Sequence, residues 1–128
     1  MTVMQICALG LDVGSTTVKM VGVDSAGELA WSHLEAAEPR VIEQVARFLE
    51  LAQTAGVSIE QAPLVATGYG RKLVGQAMRQ VTEITCHARG IHRSLGHGGT
   101  LVDIGGQDSK VIRISPQGDV VDFVMSDK

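Results

Sequence analysis

The chain is poor in aromatic residues. They make up 3 % of its 128 residues, with one Trp, one Tyr and two Phe. Any core must therefore be built from aliphatic side chains. Only two cysteines are present, Cys7 and Cys86, with no CxxC pair and no zinc-ligand spacing. That excludes a disulfide framework and points to reduced thiols. There is no cluster of basic residues, and the net charge is −3, which excludes nucleic acid as the expected partner. No apolar run approaches the length of a membrane span. Met1 to Gln5 lack the positive region of a signal peptide, so a cytoplasmic location without a membrane partner is expected. Disorder is excluded as well, because 45 % of the residues are hydrophobic. A chain this long has the size of one domain and buries roughly two-thirds of its unfolded surface.

What the chain does have is glycine, 15 residues of it, and a repeated glycine turn. Leu101 to Ile104 is an apolar run carrying Asp103 near its end. Gly105 and Gly106 turn the backbone, Gln107, Asp108 and Ser109 supply polar groups, and Lys110 to Ile114 leads away as a second strand. Leu11 to Val21 has the same plan. Both stretches read Asp, Val or Ile, Gly, four variable residues, Lys, one variable residue, then Val or Ile. Asp12 thus matches Asp103, Gly14 matches Gly105 and Lys19 matches Lys110. Internal repetition of this kind implies two related lobes. Each copy alone reads equally well as an ordinary hairpin with a polar tip. As a pair they predict a clamp for ATP and Mg2+. The backbone N–H groups of Gly14, Ser15 and Thr16, and of Gly105, Gly106 and Gln107, would cradle phosphate oxygens. Asp12 and Asp103 would hold magnesium through its waters. Lys19 and Lys110 either neutralise phosphate charge or face solvent. Gln107 or Asp108 would orient an attacking water. Together with Asp103, the candidate catalytic residues are Gln107 and Glu83, the latter an acid near the cleft or simply a helix cap. Neither a Walker A loop nor a dinucleotide-binding fingerprint is present.

In chain order, Ile6–Val13, Thr17–Asp24 and Leu29–Leu34 read as an antiparallel β-β-β meander with Ile6–Val13 central. Pro39 opens a helix whose apolar face is Ile42, Val45, Ala46, Leu49 and Ala52. Pro63–Ala66 is a short buried strand, followed by the loop Thr67-Gly68-Tyr69-Gly70-Arg71, which serves either function or a structural turn. A second helix is expected from Arg71 through Leu73, Val74, Ala77 and Met78. Thr82 or Glu83 caps a further helix to Leu95. On that helix His87 is either hydrogen-bonded packing or a functional group, and Cys86 beside it makes a poor metal pair. His92 and His97 read as solvated surface. Gly96-His97-Gly98-Gly99 reads as a flexible connection and as the lobe boundary. Thr100–Ile104, Ser109–Ile114 and Val120–Met125 form another β-β-β meander, which cannot bury both faces alone. The expected fold is α/β, with a mixed sheet: residues 1–96 form the first lobe and residues 97–128 open a second, similar one. Unpaired strand edges in that second unit lead to an expectation of pairing with another chain.

Gly10 to Lys19 resembles the first phosphate motif, and Val102 to Ile112 the second, of the superfamily that holds acetate kinase, sugar kinases, heat-shock chaperone ATPases and actin. Three features together resemble the BadF/BadG/BcrA/BcrD ATPase family more narrowly. They are Ala66-Thr67-Gly68-Tyr69-Gly70-Arg71, Glu83-Ile84-Thr85-Cys86-His87-Ala88-Arg89-Gly90, and the form of the second motif. The resemblance implies an actin-like, ribonuclease H-like ATPase fold. It also implies a homodimer bridged by a 4Fe-4S cluster. ATP hydrolysis there drives a low-potential electron, taken from a donor such as ferredoxin or flavodoxin, into an acyl-CoA dehydratase or reductase. In that family the cluster cysteine follows a Ser-Asp-Lys or Asn-Asp-Lys sequence, whereas here Ser126-Asp127-Lys128 ends the chain. Neither Cys7 nor Cys86 occupies the ligand motif. The expectation is an N-terminal portion that binds no cluster and hydrolyses ATP weakly or not at all. The competing readings are a small-molecule kinase of the same superfamily and a non-catalytic lobe with vestigial nucleotide binding.

Overall fold

The structure, a computed structural model, describes residues 5–105 and 108–127. By its contacts the chain divides into two units, Met1–Val81 and Thr82–Lys128. The expected boundary at residues 96 and 97 thus differs from the observed division, because the helix preceding it makes its contacts with the second sheet.

In the first unit, β1 (Ala8–Val13), β2 (Thr17–Val23) and β3 (Leu29–Ala36) form the expected antiparallel meander. Helix α1 (Val41–Thr54) follows, and then β4 (Leu64–Thr67) and the two-residue β5 (Arg79–Gln80). The sheet order is β3-β2-β1-β4-β5, with β1 central and parallel to β4. Period-two alternation sends Leu9, Leu11 and Val13 of β1, and Val18 and Met20 of β2, to one face. There they meet Val45, Phe48, Leu49 and Ala52 of α1 in a single cluster. Phe48 and Met20 are fully buried, so truncating Phe48 to Ala removes on the order of 3–5 kcal/mol.

Two expectations for this unit are corrected. The buried stripe of α1 includes Gln44 and Phe48, while Ile42 is 64 % exposed and Ala46 lies outside the core. The helix is rotated towards Gln44 because that side chain satisfies the connecting backbone. Its Nε2 donates to Ala36 O at 2.9 Å, and its Oε1 accepts from Glu38 N at 2.9 Å. Pro39 lies ahead of the helix, whose N-cap is Arg40. The second helix expected from Arg71 does not form. Arg71–Leu73 make one 3-10 turn, and the chain then returns to the sheet through Met78 N to Leu64 O at 2.8 Å. Gly75 interrupts that segment, and sheet pairing of Arg79 and Gln80 beside β4 outcompetes the helical pattern.

In the second unit, α2 (Glu83–Leu95) precedes an antiparallel sheet of β6 (Gly99–Ile104), β7 (Asp108–Ile114) and β8 (Val120–Asp127). Thr82 is the N-cap and accepts from Thr85 N, as expected. Ile84 and Ala88 pack on Ile112 and Ile114. Arg89 Nη2 donates to Asp119 Oδ1 at 2.8 Å, and His92 Nε2 meets Pro116 O at 2.8 Å. His92 is therefore engaged with the β7–β8 turn and is not solvated surface. The Gly96–Gly99 stretch is not a loose connection either. Gly96 (φ 77°) is the left-handed cap of α2, and a Cβ on Gly98 would stand 2.3 Å from Ser115 O.

Candidate functional site

The first motif forms the β1–β2 hairpin. Asp12 is the register partner of Lys19 on β2 and of Thr67 on parallel β4. Register partners leave a sheet on the same face, so Lys19, Asp12 and Thr67 form a row across three strands. That face is opposite the one carrying Leu11, Val13, Val18 and Met20. The row stands at the carboxyl ends of two parallel strands, the place where open α/β sheets take ligands. Asp12 is half-buried and Lys19 is exposed. Of the two alternatives for Lys19, the solvent-facing one describes its position in the structure.

The second motif forms the β6–β7 hairpin, and here Asp103 is the register partner of Lys110. Lys110 is only 8 % exposed. Its Nζ lies 3.7 Å from Asp103 Oδ2 and 3.4 Å from Asp108 Oδ1. His87 Nδ1, on α2, lies 3.4 Å from the same Asp103 oxygen. Lys110 therefore does not face solvent. It is an internal ion pair that balances the carboxylates of its own hairpin. A cleft of about 520 Å³ opens beside Asp103, lined by Cys86, His87, Ser94 and Leu101. Gly106 and Gln107 lie outside the described residues.

The first glycine of each motif has the same local job. Gly14 N donates to Thr17 O at 3.0 Å, and Gly105 N donates to Asp108 O at 2.8 Å. A Cβ would stand 2.8 Å from the first carbonyl and 2.9 Å from the second. Glycine is required by this close approach, since neither residue has a positive φ. Each of these two amides, expected to cradle phosphate, closes its own turn in the structure. The amides of Ser15 and Thr16, on the exposed tip, have no acceptor among the described residues. Glu83 stands exposed in the first turn of α2, where a carboxylate interacts favourably with the helix dipole.

The loop after β4 belongs to the first hairpin as closely as β2 does. Gly68 (φ 94°) lies against the end of β1, where a Cβ would come 2.5 Å from both Asp12 Oδ1 and Val13 O. Gly70 N donates to Val13 O at 2.8 Å. Arg71 Nη1 donates to Gly68 O at 3.0 Å, which fixes the turn. Tyr69 is held between the two glycines at 86 % exposure. Thr67 Oγ1 is buried and has no hydrogen-bond partner among the described residues. The glycines and Tyr69 stand out in the sequence, whereas Thr67 does not. Its signal was its place at the end of a strand, and its neighbour Asp12 is known only from the sheet register. His87 was likewise unreadable as a partner of Asp103, because the contact spans two elements.

The donor set fits magnesium at Asp12. Magnesium takes hard oxygen donors, retains waters, and needs only one or two carboxylates beside substrate phosphates. An orphaned hydroxyl beside that carboxylate suits a site completed by a ligand. Among the described residues, no group of three or more His, Cys, Asp or Glu side chains is placed to hold a metal by itself. Neither Cys7 nor Cys86 belongs to a group of three or more ligating side chains among the described residues, so these thiols do not by themselves fit an iron–sulfur cluster. No helix is long and apolar enough to cross a membrane among the described residues.

Residues 9–128 match the BadF/BadG/BcrA/BcrD ATPase family. The chain is 37 % identical over 127 residues to the (R)-2-hydroxyglutaryl-CoA dehydratase activating ATPase of Acidaminococcus fermentans, covering 98 % of this chain and 48 % of that protein. Its structure is similar to component A of that dehydratase, with a TM-score of 0.80 and 36 % identity over 94 % of this chain and 47 % of the other. The activator of the 2-hydroxyisocaproyl-CoA dehydratase from Clostridium difficile, solved with bound ADPNP, gives a TM-score of 0.78 and 33 % identity over 94 % of this chain and 46 % of the other. The chain thus spans about half the length of the relatives it matches. With both phosphate-type hairpins inside the matched residues, the chain belongs to the BadF/BadG/BcrA/BcrD ATPase family and has an actin-like ATPase fold.

Proposed function

We propose that this chain carries the phosphate- and magnesium-binding hairpins of an ATPase that activates an acyl-CoA dehydratase. The observation that supports this most directly is the row Lys19–Asp12–Thr67 at the carboxyl ends of parallel strands. It lies in a chain related to a structure solved with ADPNP. In this reading Asp12 holds magnesium through its waters, and the Ser15 and Thr16 amides meet phosphate. Gly14 supplies the space that lets the turn close. The second hairpin supplies Asp103, restrained by His87 and Lys110, as a further magnesium candidate, and Gly105, Gly106, Gln107, Asp108 and Lys110 as candidates for phosphate contact. Gln107 or Asp108 remains the candidate for orienting the attacking water, with Glu83 as a candidate acid. Magnesium, when bound, neutralises phosphate charge as the bond to the terminal phosphate breaks. As part of a longer protein the chain is proposed to serve low-potential electron transfer into an acyl-CoA dehydratase or reductase, with ferredoxin or flavodoxin as donor, in the cytoplasm and as a homodimer.

Isothermal titration of the chain with ATP·Mg2+ tests the reading. Binding is expected, and Asp12→Ala is expected to weaken it by about tenfold or more, the scale on which losing a metal-positioning group acts. Absence of binding by the parent chain, or equal binding by the variant, overturns it.

A further inference from the structure

Thr67 Oγ1 is the one buried side-chain polar atom among the described residues with no hydrogen-bond partner. Native proteins pair nearly all such atoms, and an exception calls for a reason. Its surroundings supply one. Thr67 shares register and face with Asp12. The next residue, Gly68, leaves a gap in which the Asp12 carboxylate lies, because any Cβ there would meet Asp12 Oδ1 at 2.5 Å. Gly68 is held in this left-handed conformation from two sides, by Arg71 Nη1 on its carbonyl and by Gly70 N on Val13 O. A threonine has staggered χ1 wells, so its hydroxyl can turn to a neighbouring acceptor without backbone movement.

We propose that Thr67 is the positioning residue of Asp12, with Gly68 as the floor of the seat. When magnesium and phosphate are in place, the Thr67 hydroxyl donates to the Asp12 carboxylate and fixes its rotamer, leaving the other oxygen for a magnesium-bound water. The unpartnered state belongs to the free protein. The inference rests on the nucleotide reading of the β1–β2 hairpin and adds to it a residue on β4. It also gives a role to the Ala66–Arg71 stretch: its glycines shape the loop around a carboxylate on another strand.

The test is titration of the full chain and its Thr67→Val, Thr67→Ser and Gly68→Ala variants with ATP·Mg2+ and with ATP in EDTA, alongside thermal melts. Thr67→Val is expected to bind ATP·Mg2+ about tenfold more weakly, the scale of a hydrogen bond to a charged group, with its affinity for metal-free ATP unchanged. Thr67→Ser is expected to restore binding. Thr67→Val should melt at or above the parent temperature, because the hydroxyl it loses has no partner in the free protein. Gly68→Ala is expected to lose the magnesium-dependent part of binding. Parent-like binding of ATP·Mg2+ by Thr67→Val overturns the inference and leaves the nucleotide reading standing. So does a lowered melting temperature that Thr67→Ser repairs while binding is unchanged. No binding by the parent chain overturns both.

Discussion

At the scale of single residues, the same motif letter has two different physical lives. Lys19 and Lys110 occupy equivalent positions, yet one is exposed and the other is 8 % exposed between two carboxylates. The carboxylates that Lys110 balances are about a third exposed, at 35 % and 36 %, so water screens part of the charge that its removal would leave. Lys110→Met is therefore expected to destabilise the protein by about 0.5–1 kcal/mol, and Lys19→Met to leave stability unchanged. Urea unfolding of the two variants checks this, and equal midpoints would contradict it. Glu35 makes a second residue-scale case. The hydrogen bond from His33, and then the Arg47 guanidinium, lower its pKa from 4.5 to about 2. A carboxyl that is more acidic when folded contributes stability above its unfolded pKa and loses it as pH falls through its folded pKa. The parent chain should thus lose this contribution between pH 4.5 and about 2. Glu35→Gln should flatten that part of a stability-versus-pH curve, and an unchanged slope would count against the assignment.

Secondary-structure elements show where local pattern and tertiary demand agree. The strands of both hairpins were legible because period-two alternation and glycine turns agree with burial on one face. The 71–78 segment was not, since helical spacing of Leu73, Val74, Ala77 and Met78 competed with backbone pairing beside β4 that only the folded sheet offers. Helix α2 was legible from its cap, yet its sheet partner was not. The glycines around it separate by environment. A Cβ on Gly90 meets open space, whereas one on Gly98 would stand 2.3 Å from Ser115 O and 2.4 Å from Ile114 O. Gly90→Ala should therefore raise stability by about 0.5–1 kcal/mol, the ordinary gain of alanine over glycine within a helix. Gly98→Ala should lower it, as backbone atoms have to move. Thermal melts of the two variants should shift in opposite directions.

For the whole molecule, the two units differ in how much they bury. The first has a core centred on the aromatic Phe48 with Leu11 and Met20, whereas the second buries only aliphatic side chains, Ile84, Ala88, Ile112 and Ile114, among the described residues. On the sheet face away from α2, Val102, Ile104, Val111 and Val124 are exposed. Few buried contacts mean low local opening energies, so amides of β6 to β8 should exchange with deuterium faster than those of β1, β2 and β4. Equal protection in both sheets would overturn this. The expected all-aliphatic core is corrected by Phe48, which is fully buried in the first unit. The sequence by itself determined the two hairpins, their repetition and the family. These follow from local periodicity, from turn chemistry and from residues adjacent in the chain. Only the tertiary structure decided that Thr67 and Gly68 stand against Asp12, that His87 reaches Asp103, and that Lys110 is withdrawn into its own hairpin while Lys19 is left outside. Each of those relations depends on strand register or helix packing between residues distant in sequence. A one-residue slip in register would turn Thr67 to the other face of the sheet, and no property of Thr67 and its chain neighbours alone excludes that slip.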